Sequence, residues 1–522
     1  MLTIRDHVTA DLFEISDHFS KPKRQALERS WAGVFRDHLL KHLPVAELAS
    51  NFSATQGRPS KDLHAVLGAL ILQQLHDLSD AATVEAYAFN QLWHHALNIR
   101  AETDAYLCER TLRNYRRWVI ESGLDRHMFR SLTDELIQAF AVDTRQQRLD
   151  STAIRSCMRT LTRLGIVTEA LGKFIRELVR HYPQYRTWIG TDQRERYLEM
   201  KAHGWSFRIT PSEARVSLEQ AGQDLGHLVA LFASTEAKAL PSYQIMHRVL
   251  LEQFTMSPAS NGAPAKLEVK APDLIPSDGV QNPADPDASF NTRYGQGYGL
   301  QVMETYQVDA GAEDAAERPA SGPDLITHID VHKLTRHDQY ALQPALDDVA
   351  QRGVAPERVL ADTHYGNIDN LDRTQARGIE LVAPVQKAKG SLRGKLNLEQ
   401  FDLDDAGLIV QCPGGHAPQS VSSSRTRLQA VFSASTCDAC PLKPRCLVNT
   451  PSSRSRHHHR IQYLPSRLRL RALRLREKTP TFREVYRWRA GIEGKRPSLT
   501  VLTASSRDGL GQFRHLIGEV PG

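Results

Sequence analysis

The chain has 522 residues, 41% hydrophobic and 24% charged, with a formal net charge of +6. That length suits roughly three domains, and the composition is that of a chain that folds and stays soluble. No apolar run reaches the roughly 18 residues of a membrane span, and the opening MLTIRDHVTADLF lacks the basic-then-apolar order of a secretory leader, so no membrane and a cytoplasmic location are expected.

Up to about residue 140 apolar positions recur three and four apart, which predicts helices. KRQALERSWAGVFRDHLLKHL reads as one helix, SKDLHAVLGALILQQLHDL as a second capped by Ser60, and ATVEAYAFNQLWHHALNI as a third. CERTLRNYRRWVIESG combines an apolar stripe with Arg110, Arg113, Arg116 and Arg117. A compact helical domain with one basic helix suits DNA, and the same arginines equally suit the wet side of a helix.

The pattern then changes. RQQRLDSTAIRS, 145–156, is a short extended run with Asp150 near its middle. Helical sequence resumes from about 157 to 255, followed by a linker rich in Pro, Ala and Asp from Ser257 to about Asp287, too poor in large apolar residues to pack.

Beyond it the reading is α/β. GYGLQVMETYQVD and LITHIDVHK are two strands joined by the acidic loop AGAEDAAERPASGP, an antiparallel pair with a long connection. DQYALQPALDDVAQRGV predicts a helix, RVLAD a buried strand ending on Asp362, NIDNLDRTQARG a helix closed by Gly378, and IELVAPV a strand. Strand, helix, strand with short turns implies a parallel crossover. From Gln386 to Lys478 the sequence reads as loop-rich, and TPTFREVYRWRAGIEGK as a final helix opening with Thr481 and Glu484 as a capping box.

Between Ser452 and Arg489 twelve Lys or Arg face two acids, Glu477 and Glu484, the charge footprint of a phosphate-backbone contact. CDACPLKPRC sets Cys437, Cys440 and Cys446 at the spacing of a zinc knuckle, with Cys412 as the fourth thiolate and His416 as the alternative. Cys108 and Cys157 read as small buried hydrophobes, and His457, His458 and His459 as part of a mobile basic loop.

Three acids stand out on this skeleton. Asp150 lies on the first strand, Asp362 at the carboxyl end of a later strand where ligands gather in open α/β sheets, and Glu493 on the final helix. Tyr486, Arg489 and Glu493 are three and four residues apart and share a helix face. Singly, each acid reads as a turn, strand-end or ion-pair residue. Their order on strand, strand end and helix is that of a ribonuclease-H-like topology with one large insertion after the first strand and another before the last helix.

Here the sequence resembles bacterial insertion-sequence transposases of the DDE class. Tyr486, Arg489 and Glu493 match the family's Tyr, two residues, Arg, three residues, Glu; LDSTAIRS resembles the segment around its first acid and ADTHYGN the turn around its second. DPDASF, LITHIDVHKLTRHDQYALQPALDDV and the cysteine knuckle resemble the branch with a helical N-terminal domain, and the likeness covers about residues 25 to 515.

The resemblance implies an α/β protein with an RNase H-like catalytic core, 141–156 and 285–385 plus 479–515. A helical DNA-binding domain would occupy 1–140, a helical insertion and linker 157–284, and a small Cys-rich, basic insertion 386–478. It implies cleavage and strand transfer at element ends, with water and then a DNA 3′-hydroxyl as nucleophile. Two Mg²⁺, or Mn²⁺ in their stead, would be held by Asp150, bridging both, and by Asp362 and Glu493. Tyr486, Arg487, Arg489, Arg113 and Arg116 would contact DNA, and Zn²⁺ would sit on Cys412, Cys437, Cys440 and Cys446. The partner would be double-stranded DNA with terminal inverted repeats, engaged by a homodimer at the nucleoid. Thr500 stands where many members carry Lys, and the chain stops at IGEVPG; a lapsed, DNA-binding descendant and an RNase H-like repair or recombination nuclease are the alternatives.

Overall fold

The computed structural model describes residues 2, 4–7, 18–49, 51–53, 56–57, 59–199, 210–257, 266–307, 323–387, 394–448 and 458–492. Glu493, Thr500 and His457 lie outside them.

The helix Leu63–Leu75 is apolar on every side, and residues 63 to 73 are all buried. It packs against the helices Asp80–Phe89 and Glu109–Ser122. Its start is set by Asp62, which accepts from Ala65 N at 3.2 Å; the expected cap, Ser60, lies two residues outside. Two of the expected long helices are broken because a good N-cap sits inside them. Ser30 accepts from Ala32 N and restarts the chain at Trp31, and Asn90 accepts from Leu92 N and Trp93 N between Asp80–Phe89 and Gln91–Ala96. Glu109–Ser122 ends on Gly123 in the left-handed region and is followed by Leu124–Ala139.

The strands, in chain order, are β1 (Gln146–Arg155), β2 (Phe254–Ser257), β3 (Lys266–Val269), β4 (Ser289–Asn291), β5 (Gly295–Thr305), β6 (Ile326–Lys333), β7 (Arg358–Ala361), β8 (Glu380–Val382), β9 (Asp402–Leu403), β10 (Ile409–Gln411), β11 (Ser420–Ser423), β12 (Leu428–Ser433) and β13 (His458–Tyr463). The principal sheet runs β4-β5-β1-β7-β8, with β6 also paired to β5. β5 is antiparallel to β1 and β6, whereas β1, β7 and β8 are parallel, the β7–β8 pair as the strand, helix, strand pattern predicts. One apolar core joins the N-terminal helices to this sheet: Leu70, Leu112 and Leu136 belong to the same cluster as Leu149, Leu346 and Val359.

The inserted helices Arg163–His181, Pro211–Phe232 and Pro241–Gln253 form their own core, in which Phe174 meets Phe232 and Tyr243 edge-on at 5.4 and 5.8 Å. The expected non-packing linker is corrected here. β3 pairs with β2, and Val280 is buried. Few apolar side chains are needed because charged groups of Pro241–Gln253 satisfy the linker's backbone: Arg248 donates to Asp278 O and Pro286 O at 2.9 and 3.0 Å, and Glu252 accepts from Val280 N at 2.7 Å.

The region read as loop-rich is also corrected. β9 and β10 form a hairpin, β11-β12-β13 a three-stranded antiparallel sheet, and Pro465–Arg476 a helix. RLQAVFS and HHRIQY each bury alternate residues, so Leu428, Ala430, Phe432, Ile461 and Tyr463 make one small core. His458 and His459 therefore sit on a strand, not in a mobile loop. Cys108 and Cys157 are exposed, against the expectation that they are buried. The last helix starts at Pro480 with Thr479 as its cap, two residues earlier than Thr481, because Pro favours the first helical position. Among the described residues no helix is long and apolar enough to cross a membrane.

Candidate active site

β1 and β7 run in parallel register from Gln146↔Arg358 to Leu149↔Ala361. The next residue on each chain is an acid, so Asp150 and Asp362 stand beside each other where the ladder ends. Asp150 is buried within β1, and Asp362 begins a tight turn in which its Oδ1 accepts from His364 N at 2.8 Å. Burial, with the Asp150 charge adding to it, pushes the Asp362 carboxyl above the usual carboxylate range, against the opposing pull of His364 and Arg489. Two carboxylates held this way favour a cation.

Alternation along β1 turns Arg148 and Asp150 to one face and Leu149 and Ser151 to the other. The last helix lies on the Arg148 face. Phe482 is buried there with Leu360 and Val382, and Tyr486 stacks on Phe482 at 5.5 Å. Arg489 Nη2 donates to Asp150 Oδ1 at 3.0 Å. Arg148 fixes this docking: Nη1 donates to Trp488 O at 2.8 Å, Nε to Glu304 Oε1 at 2.6 Å, and Nη2 to Asp324 Oδ2 at 3.2 Å. The Arg148–Glu304 pair is almost wholly buried, with side-chain exposures of 5% and 1%, so neither charge has water to fall back on. The chain passes so close at Gly491 that an added Cβ would lie 2.2 Å from Arg148 Nη1.

A polar network on the opposite face ties the two acid-bearing segments together. Ser151 Oγ donates to Asp338 Oδ2 at 2.9 Å, Gln301 Nε2 donates to Asp338 Oδ1 at 3.0 Å, and Tyr365 Oη donates to Gln301 Oε1. Ser151 follows Asp150, and Tyr365 lies three residues beyond Asp362. Burial first, then the charges of Asp338, Asp362 and Asp150, raise the Tyr365 pKa well above its ordinary value, which keeps the phenol a donor. Sequence reading missed Arg148, Glu304, Ser151, Gln301, Asp338 and Tyr365 as contributors. The one available signal was an acid-bearing strand flanked by polar residues at positions that should be apolar.

The remaining candidates are dispersed. Arg113 is exposed, with Glu109 O at 3.4 Å and the Glu109 carboxylate at 3.9 Å, while Arg116 is committed to Asp80 at 2.5 Å and to Gln73 at 2.7 Å. Arg487 is exposed beside Trp488, 5.3 Å from its ring. Much of the basic run serves the fold. Arg469 pairs with Asp372, Arg474 with Glu399 and Arg476 with Glu380, and Arg471 donates to Leu398 O and Phe401 O. Cys412, Cys437, Cys440 and Cys446 line one cavity with His416. Burial and then the neighbouring thiols push Cys437 up to about 11. No three of the four sulfurs close to within 4.8 Å; among the described residues only His7, Asp62 and His64 bring three candidate ligand atoms that near.

Two family models match the chain. Residues 23–118 match a transposase domain (DUF772), and residues 411–513 match a transposase DDE domain. No curated protein and no solved structure matches. The second match takes in Tyr486, Arg489 and Glu493, and of these Arg489 donates to Asp150. With a transposase-domain match toward each end and an acid pair at the join of β1 and β7, the chain is consistent with a DDE transposase of an insertion sequence.

Proposed function

We propose that the chain cuts and rejoins DNA at insertion-sequence ends in a metal-dependent reaction, on a ribonuclease-H-like core. The sheet order β6-β5-β1-β7-β8, with β5 antiparallel and β7 and β8 parallel to β1, supports that fold reading. The observation that carries the function is the side-by-side pair Asp150 and Asp362, with Arg489 against Asp150.

The pair suits Mg²⁺ or Mn²⁺: its donors are hard oxygens, and the raised Asp362 pKa marks a charge that burial and a like neighbour penalise and a divalent cation relieves. Asp150, Asp362 and Glu493 would hold two such ions, which supply activation of the attacking oxygen and neutralisation of the leaving one. The chain's own groups do the rest. Asp338, Ser151, Gln301 and Tyr365 keep the two acidic segments in register. Arg489 neutralises Asp150 until a phosphate competes for its guanidinium, and a fork of N–H groups then orients the backbone. Tyr486, Arg487 and exposed Arg113 extend that phosphate contact, whereas Arg116 acts through the fold of the N-terminal helices.

The substrate is double-stranded DNA with terminal inverted repeats, brought together by a homodimer at the nucleoid of the cytoplasm. Segment 1–140 would read the ends, 141–156 with 285–385 and 479–515 would cut, 157–284 would be a helical insertion, and 386–478 a zinc-stabilised one. Zinc on Cys412, Cys437, Cys440 and Cys446 is supported by their shared cavity. The decisive experiment incubates full-length protein and its Asp150→Ala variant with DNA carrying the flanking inverted repeats and Mg²⁺. Cleavage by the first alone supports the proposal; equal cleavage by both overturns it.

A further inference from the structure

Apart from the catalytic face, one cluster in the N-terminal helices combines metal-ligand chemistry with an unmet bonding demand. His7, Asp62 and His64 present ligand atoms that all lie within 4.8 Å of one another. The His7 and His64 rings are 4.7 Å apart. All three side chains are nearly enclosed: His64 is 8% exposed, and the His7 and Asp62 side chains 2% and 8%.

Asp62 has obvious local work, since it caps the helix Leu63–Leu75 through Ala65 N, accepts from Arg5 N at 3.3 Å and meets His7 Nε2 at 2.8 Å. Capping explains Asp62 and helps explain His7, but it does not explain His64, whose buried Nδ1 has no hydrogen-bond partner among the described residues. An orphaned buried ring nitrogen costs on the order of 1–3 kcal/mol, and Leu would fill the same helix position without that cost. Burial, and after it the charge of His7, lowers the His64 pKa, which favours the neutral ring that a metal takes. A cavity of about 250 Å³ reaches the cluster along Arg5, Ser60, Asp62, Tyr87, Asn98 and Asp104, giving solvent access to one side of it.

We propose that His7, Asp62 and His64 form a binding site for a divalent cation of the zinc type, separate from both the acid pair and the cysteine cavity. Two imidazoles and a carboxylate suit zinc, and the cavity leaves room for water as fourth ligand. Metal–nitrogen bonds of about 2.0–2.1 Å put tetrahedral ligand atoms about 3.3 Å apart, so the side chains draw inward on binding. Asn98 Nδ2 lies 3.1 Å from His7 Nδ1. With Nε2 on the metal, Nδ1 carries the proton, and the Asn98 amide turns its oxygen to accept it. The ion would clasp the segment holding Arg5 and His7, which is otherwise tied by the Arg5–Asp104 pair at 2.6 Å, to the buried central helix.

The test uses the full chain, freed of metal and titrated with Co²⁺, with Cys437→Ser/Cys440→Ser/Asp150→Ala/Asp362→Ala as the background that removes thiolate ligation and the acid pair. That background is expected to retain about one equivalent of cobalt with d–d bands and no thiolate charge-transfer band. Adding His64→Leu should abolish it, while the metal-free melting temperature stays level or rises because the orphaned nitrogen is gone. Asp62→Asn keeps the N-cap but loses the charge, and should weaken binding at least about tenfold. With the cysteines intact, His64→Leu should lower bound zinc by about one equivalent. Cobalt or zinc titrations identical with and without His64→Leu would overturn the proposal.

Discussion

The guanidinium of Arg148 occupies the space that a side chain on Gly491 would need: an added Cβ falls 2.2 Å from Nη1. The same guanidinium holds Trp488 O and the buried Glu304, so the last helix and β1 are locked at one point. Gly491→Ala is expected to push Arg148 off Glu304 and to cost about 2–4 kcal/mol, since it strands a buried carboxylate. Thermal unfolding measures this. A variant as stable as the parent would mean that the helix docks without Arg148.

Arg489 supplies the positive charge facing Asp150 and also draws down the Asp362 pKa. Arg489→Gln should therefore raise that pKa further. A carboxyl whose folded pKa lies above its unfolded value stabilises the chain below the unfolded pKa and loses that contribution as pH rises through the folded one. Cation binding has the opposite sense, because it needs the ionised form. The acidic limb of Mg²⁺-dependent cleavage is thus expected above the ordinary carboxylate range, and it should move to higher pH in Arg489→Gln. A limb that stays put would dissociate Asp362 from metal binding.

Tyr365→Phe removes the donor to Gln301 Oε1 from a fully buried position. The expected loss is about 1–3 kcal/mol, together with a higher Mg²⁺ concentration for half-maximal cleavage, because the Asp362 turn loses its tie to Asp338 and Ser151. Loss of stability with an unchanged Mg²⁺ requirement would reduce the network to a packing role.

Arg113 and Arg116 lie on one helix but should fail differently. Arg113→Ala is expected to weaken DNA binding uniformly and to reduce the salt slope by about 1. Arg116→Ala should instead destabilise the N-terminal helices, because Asp80 and Gln73 lose their partner. Salt-dependent binding isotherms and melting curves separate the two, and a salt slope that falls equally in both variants would make Arg116 a phosphate contact as well.

How much of this was legible in advance follows from which forces act locally. β1, β5, β6, β7 and β8 and their crossovers were readable because their apolar runs and closing glycines are local signals. That Asp150 and Asp362 stand side by side follows from the parallel register of β1 with β7, which the sequence does not print. Asp62 and Asn90 illustrate where local signals fail: several capping residues compete in each stretch, and tertiary packing chooses among them. The linker's fold depended on Arg248 and Glu252 reaching its backbone from a distant helix, and no periodicity encodes that. Arg148 looked like a charge on a strand, and its partners Glu304, Asp324 and Trp488 are scattered over 341 positions of sequence, from 148 to 488. Arg116 and the run from Arg469 to Arg476 looked free for phosphate, yet their acidic partners were equally remote.

Convergence of Asp150 and Asp362 on a shared cation is tested most directly by replacing Mg²⁺ with Fe²⁺ and mapping where ascorbate-driven radicals cut the polypeptide. Cuts beside both residues, suppressed by excess Mg²⁺ and lost in either Asp150→Ala or Asp362→Ala, are the expected result. Cuts confined to other segments, or unchanged in both variants, would contradict it.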